Sequence, residues 1–430
     1  MQLGWVDFSQ KDKNIMMNVL KLLHTPGAVD EIGIGVVRDA FANKFFPGTS
    51  TIQTRAKYFV LVPYIFQEIF SAQIKKDVDP IDILSLKEKH IGELLLAGVT
   101  SDEEDAEENE QLGIIGSRTL ARNKRTGENN WVARAPSDIY WNGLKTYEIY
   151  RGNTTCSVSQ ALKVLKSETI NKKKETGKRS SGKNSDSDDN SIESSSVYWD
   201  MSFSDNNENY VLNGNDYTKN ISIELTNSEA KFLKYKILNS NPNSVMAYIL
   251  KNNIKLDKFF TTNKIFEAFS TSSQLNKLDS DNKKLIQLAN NFNELVFRLR
   301  VRYNVELFDG KYEYANELWD ELRDKDYPFV DIEEIFLKLG ISDSYLNLKT
   351  FLIKSEQLLH KNPSKSDLEK VKEFLLDQEI DIKGEGRAKL KQKKTLIPDS
   401  PYLVGGAWLD YRLSSAKRII DDIYTGMKNV

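Results

Sequence analysis

The densest group of residues able to do chemistry follows Phe46-Pro47-Gly48 and reads Thr49, Ser50, Thr51, Gln53, Thr54, Arg55 and Lys57. Ser50 or Thr51 can cap a helix here, with Ile52, Ala56, Phe59 and Val60 on its buried side. A helix N-terminus turns free backbone N–H groups toward a phosphate. In a helix-turn-helix, the early residues of the recognition helix face base edges, where Gln and Arg carry matching donors and acceptors. Thr51, Gln53, Thr54, Arg55 and Lys57 are therefore candidates for nucleic-acid contact. The plainer alternative is an ordinary helix entry in which Arg55 pairs with Asp30, Glu31 or Asp39.

A second candidate group is Arg118, Arg122, Lys124 and Arg125, with Trp131 and Arg134 close behind. Arginines beside an aromatic ring suit phosphates and unstacked bases. Seven acidic residues lie between Asp102 and Glu110, and they could cover the cations and cancel their field. An exposed, solvated loop is the alternative.

Catalytic signatures are sparse. One cysteine, Cys156, excludes a disulfide framework and any multi-thiolate metal site. The three histidines, His24, His90 and His360, stand far apart and form no short-range zinc spacing. There is no GxxxxGK[ST] loop, no GxGxxG after a strand, no HExxH and no GxSxG elbow. Asp421 and Asp422 superficially suggest a metal pair. Adjacent carboxylates on a helix diverge by about 100 degrees, however. Pairing of Arg418 with Asp421 or Asp422 at helical spacing is the expectation there. Trp141 reads as a buried anchor beside a helix start at Pro136. No catalytic residue, metal ligand or cofactor is assigned.

The elements that must position these residues are helices. Ser9 to Leu23, Gly35 to Phe45 and the run after Ser50 suggest three short helices, and Pro63 interrupts the third. Leu84 to Ala97 is amphipathic. Thr226 and Glu229 form a capping box, and Lys283 to Leu307 carries a long apolar stripe. Leu409, Leu413, Ala416, Ile419, Ile420 and Ile423 line the helix expected over Leu409 to Tyr424. The fold class expected is mainly α and multi-helical, with a helix-turn-helix-like N-terminal segment and a helical C-terminal domain.

Composition sets the expected division. Residues 168–220 are rich in Ser, Asn, Asp and Lys, and Glu168 to Ser196 hold almost no aliphatic anchors. Such a stretch buries too little apolar surface to offset ordering it. It reads as a largely disordered linker between an N-terminal domain, 1–167, and a C-terminal domain, 221–430. Lys and Arg number 60 against 62 Asp and Glu, a formal charge of -2. That balance excludes a uniformly basic coat but allows local patches. The start lacks a basic region followed by an apolar core, so no signal peptide is expected, and no apolar run is long enough to span a bilayer. A cytoplasmic location without membrane contact is expected.

Six blocks carry a family resemblance: GWVDFS, GAVDEIGIGVVRDAFANKFFPGTSTIQTRAKYF, GIIGSRTLAR, APSDIYWNGL, LTNSEAKFLKYKIL and GAWLDYRLSSAKRIIDDIYTG. The chain resembles a bacterial and archaeal domain-of-unknown-function family over its whole length. The resemblance supplies no reaction. It implies genes that neighbour helicase, nuclease and restriction-like genes, and hence antiviral defence. The expected function is a non-catalytic accessory or adaptor protein that contacts nucleic acid, with DNA as the candidate, and a protein partner. The alternative is an unrecognised nuclease or hydrolase whose site gathers residues distant in sequence.

Overall fold

Polar side chains fix the helix starts. The Thr226 hydroxyl accepts the Glu229 N–H, and the Glu229 carboxylate accepts the Thr226 N–H at 2.8 Å, which closes the expected capping box. Ser364 and Asp367 close another. Asp279 caps the 28-residue helix Ser280–Leu307, and Asp30 accepts the N–H groups of Ile34 and Gly35 at the head of Gly35–Phe45. The computed structural model describes residues 30–71, 78–97, 112–167, 198–202, 221–360, 362–392, 402–406 and 408–428. The helix expected over Ser9 to Leu23, His24, the acidic run 102–110 and the linker 168–196 lie outside them.

The chain is mainly α. Among the described residues there is no strand; one isolated antiparallel bridge joins Tyr150 to Trp199. None of the helices among these residues is long and apolar enough to cross a membrane.

Two compact units are interleaved along the chain. One comprises Met1–Phe45 and Ile254–Leu413, the other Phe46–Asn253 and Ser414–Val430. Residues 221–253 and 414–430 thus group with Phe46 onward, not with 254–413.

In the first unit, the long helix Ser280–Leu307 is the spine. Glu313–Arg323, Lys365–Lys383, Ile265–Ser270 and Gly35–Phe45 pack against it. Phe292, Phe41, Phe45, Phe266 and Tyr411 form one aromatic cluster with centroids 4.7 to 6.1 Å apart. A buried charge cluster fixes the N-terminal element of this unit. The Tyr303 hydroxyl donates to Glu379 at 2.7 Å, Lys383 bridges Glu379 and Glu31, and Lys389 reaches Glu31 at 2.5 Å. Burial opposes ionisation of Glu379. Lys383, the Leu390 N–H and Tyr303 outweigh it and hold the carboxyl below the usual carboxylate range. Each charge has a partner, as buried charges require.

In the second unit, Tyr58–Ser71 is buried on almost every side. Pro136–Thr146 and Pro80–Ala97 pack on it, and Ser117–Thr126 packs on Pro80–Ala97. Trp141 is buried, as expected, and its indole N–H donates to the Cys156 carbonyl at 2.8 Å. Helix Leu413–Gly426, four residues later in its start than expected, lies in this unit beyond Leu413 and buries Ala416, Ile419, Ile420 and Ile423.

Candidate nucleic-acid interface

The segment expected to begin a helix at Ser50 or Thr51 is a series of turns, and the helix starts at Tyr58. Side-chain bonds to the backbone hold the turns. The Thr49 hydroxyl donates to the Phe46 carbonyl at 2.6 Å. Gln53 accepts the Ser50 N–H at 3.1 Å and donates to the Gly48 carbonyl at 3.0 Å. Such local bonds compete with the helical ladder, and here they displace it. Gly48 adopts φ +77, and a Cβ there would stand 2.7 Å from the Tyr147 ring. The boundary between the two units falls between Phe45 and Phe46. Gly35–Phe45 and Tyr58–Ser71, expected to share a helix-turn-helix-like segment, therefore belong to different units.

The backbone N–H groups of Thr54, Arg55 and Ala56, which a phosphate could have used, are taken. The Tyr140 hydroxyl accepts from Thr54 N–H at 2.9 Å and Arg55 N–H at 3.0 Å, and donates to the Arg55 carbonyl at 2.7 Å. The Asp422 carboxylate accepts Ala56 N–H at 2.7 Å and the Arg55 Nε at 3.0 Å. Burial raises the Asp422 pKa, against the opposing pull of Arg55. Arg418 donates to the Gln53 carbonyl at 3.1 Å, instead of pairing with Asp421 or Asp422, and Asp421 pairs with Lys417. Lys57 reaches across the unit to Glu229, with both side chains buried. Burial pulls the Lys57 pKa down, and Glu229 opposes that pull.

The sequence-predicted residues thus separate by environment. Gln53 and Lys57 are buried, Thr54 and Arg55 half-buried, and Thr51 exposed. Arg118, Arg122, Lys124 and Arg125 are all exposed on the helix Ser117–Thr126. Leu120 and Asn123 turn the opposite side inward. At 100 degrees per residue, Arg118, Arg122 and Arg125 fall within about 60 degrees of one another, whereas Lys124 projects elsewhere. Arg122 stands 3.5 Å from Glu128, an exposed pair of small value.

What Arg55 and Tyr58 do is set the base of that helix. Arg55 Nη1 donates to the Leu112 carbonyl at 2.9 Å, and the Tyr58 hydroxyl accepts the Ile115 N–H at 2.8 Å. Gly116, at φ +85, then opens the helix under Trp131, and Gly127, at φ +71, closes it. Asn123 bonds both the N–H and the carbonyl of Asn130, folding the 127–130 loop back along the helix. The two candidate groups are therefore coupled: one holds the loop from which the other springs.

Residues 1–173 match the model of a family of unknown function (DUF6361). The match takes in the Pro47-to-Lys57 run, the basic helix and the Pro136–Thr146 helix that carries Tyr140. It does not take in Glu229 or Asp422, the long-range partners of Lys57 and Arg55. No curated protein and no solved structure matches the chain.

Tyr140, Glu229 and Asp422 are the residues that sequence reasoning missed. Glu229 showed only as half of a capping box, and nothing local marks a pairing across 366 or 367 positions. Among the described residues, no group of three or more His, Cys, Asp or Glu could hold a metal ion.

Proposed function

We propose that the chain is an accessory protein that binds nucleic acid through the Ser117–Thr126 helix. Arg118, Arg122 and Arg125 make the contact, and the Thr54-to-Tyr58 network positions it. The observation that carries this reading is the stripe of three exposed guanidinium groups on one helix face, fixed at its base by Arg55 and Tyr58. Exposed arginines at helical spacing suit successive phosphates, with affinity from charge and little base readout. Lys124 adds charge beside the stripe. Gln53 and Lys57 act from within, as supports. The antiviral-defence setting is a further part of this proposal and rests on the resemblance of the six sequence blocks, and a protein partner is assigned to the helical C-terminal part.

The test is fluorescence anisotropy with duplex and single-stranded DNA and RNA over a salt series. The wild type should bind with a steep salt dependence. The triple variant R118E/R122E/R125E should lose most of that affinity, and its slope should flatten by roughly one per lost phosphate contact. Absence of binding by the wild type at micromolar protein and low salt would refute the reading.

A further inference from the structure

The unit formed by Met1–Phe45 and Ile254–Leu413 contains an open cavity of about 720 Å³. The long helix contributes Asn290, Glu294, Phe297 and Arg298, which recur at spacings that keep them on one face. Lys264 and Glu267 approach from one side, Tyr327 from another, and Trp408 closes a third.

Three observations give this cavity a chemistry. First, Trp408 stacks on Phe297 at a centroid distance of 3.9 Å and 18 degrees, and the Lys264 ammonium sits 4.0 Å from the centre of the Trp408 ring. That ammonium also pairs with Glu267 at 3.0 Å and Glu294 at 3.1 Å. An aromatic face with two carboxylates is a seat for a cation. Burial disfavours the charge on Lys264, yet the two carboxylates outweigh it and hold its pKa above the ordinary lysine range.

Second, buried polar atoms along the cavity are left over. The Tyr327 hydroxyl and Arg298 Nε lack a hydrogen-bond partner although these residues are only 5% and 2% exposed. Arg298 spends its two Nη groups on the carbonyls of Leu322 and Lys325, and its guanidinium lies 4.3 Å from the centre of the Tyr327 ring. Asn290 donates to Ser270 and keeps an unused carbonyl oxygen. Unmade hydrogen bonds of buried groups are costly, so each is a point at which a ligand would be stabilised.

Third, the charge of the lining opposes an anion. Glu267, Glu294, Glu321 and Asp326 stand against Lys264, Arg298 and Lys325. A phosphate or carboxylate would meet more negative charge than positive.

We infer that this cavity binds a primary ammonium group on an aliphatic chain, the chemistry shared by free diamines and by lysine side chains of a peptide. Lys264 holds the seat in the absence of ligand and gives it up when a ligand amine arrives. Its side chain is 36% exposed and can swing outward, while Trp408 and Glu294 remain fixed by Phe297 and the long helix. Arg298 Nε supplies the one buried donor among the leftover groups besides the Tyr327 hydroxyl. An amide carbonyl of a peptide would meet it, whereas a diamine offers it nothing.

The test is calorimetric titration of the full chain with cadaverine, with N-acetyl-lysine N-methylamide, and with 1-pentanol as the uncharged control. Both amines should bind and the alcohol should not. E294Q and W408A should each weaken amine binding by roughly tenfold, and W408F should retain it, which controls for folding. K264A should strengthen amine binding by removing the internal competitor. Tighter binding of the lysine amide than of cadaverine would identify a peptide side chain as the ligand, and the reverse order a free diamine. Silence of both amines at millimolar concentration in the wild type and K264A would overturn the inference. Equal affinity of the alcohol, or indifference to E294Q, would overturn it as well.

Discussion

The Lys57 ammonium lies 2.8 Å from Oε2 and 2.9 Å from Oε1 of Glu229, and both side chains are sealed from solvent. The same Glu229 carboxylate accepts the Thr226 N–H that closes the capping box. One buried group therefore caps the start of a helix and neutralises a charge 172 positions away in the chain. Removing either partner takes away the 2.8 Å ion pair that offsets the burial of the other's charge. K57M and E229Q should each destabilise the protein by about 3–5 kcal/mol. The double variant K57M/E229Q should recover part of that loss, because no isolated charge remains. Chemical denaturation of the four proteins reads the coupling directly. Additive losses would mean that the pair is not energetically linked.

Arg55 makes a different prediction from the exposed arginines, although both stood together as nucleic-acid candidates. Its guanidinium is occupied by Asp422 and the Leu112 carbonyl. R55A should cost about 1–3 kcal/mol of stability through the charged hydrogen bonds it removes. Nucleic-acid affinity of the folded R55A protein should fall less than that of R118E/R122E/R125E. D422N should reproduce the stability loss, as it weakens the same bond from the other side. A large affinity loss in R55A at unchanged stability would instead place Arg55 at the contact surface.

How much of this was legible is uneven, and the division follows range. Thr226 with Glu229, Pro136 at a helix start, the apolar stripe of Ser280–Leu307 and the buried stripe of Ile419, Ile420 and Ile423 all act within one or two helical turns. Local spacing displays them. The segment Thr49 to Lys57 failed for the opposite reason. It carries the composition of a helix entry, yet Gln53 spends its amide on Gly48 and Ser50. Tyr140 and Asp422 then take the N–H groups that would have faced a ligand. Nothing between positions 49 and 57 announces those partners. The Lys264–Trp408 cavity was equally invisible, since Phe297, Lys264 and Trp408 come from three separate stretches.

Gly116 offers a backbone test of how the basic helix is held. Its φ of +85 is a left-handed conformation that side chains rarely adopt, and an added Cβ would stand 2.6 Å from Trp131. Both penalties apply together, the strain of the αL backbone and the clash with an indole. G116A should lose about 1–3 kcal/mol. Gly127 also has positive φ, but a methyl group added there would meet nothing within 4 Å. G127A thus carries only the conformational penalty and should cost less. Thermal melts of the two variants should rank G116A below G127A. The reverse order would show that Trp131 does not rest on Gly116.

Glu88 contributes a pH response to the same unit. Its carboxyl is buried and accepts the Ser137 N–H at 2.6 Å at the head of the Pro136–Thr146 helix. Burial raises its pKa to about 8; the Ser137 bonds oppose the shift, and nearby Asp138 adds to it. The folded protein thus binds this proton more tightly than the unfolded chain, whose carboxyl titrates near the usual glutamate value. The sign follows from linkage: stability falls with rising pH wherever the folded state holds more protons. The contribution is fully present in acid below the ordinary carboxylate range, and it is lost as pH rises through about 8. E88Q keeps a neutral group of the same shape and has no proton to release. The melting temperature of the wild type relative to E88Q should therefore decline between pH 5 and pH 8, by several degrees if the full linkage is expressed. Melts of both proteins in matched buffers across that range decide the matter. Parallel profiles for the two would mean that Glu88 is ionised in the folded protein at neutral pH.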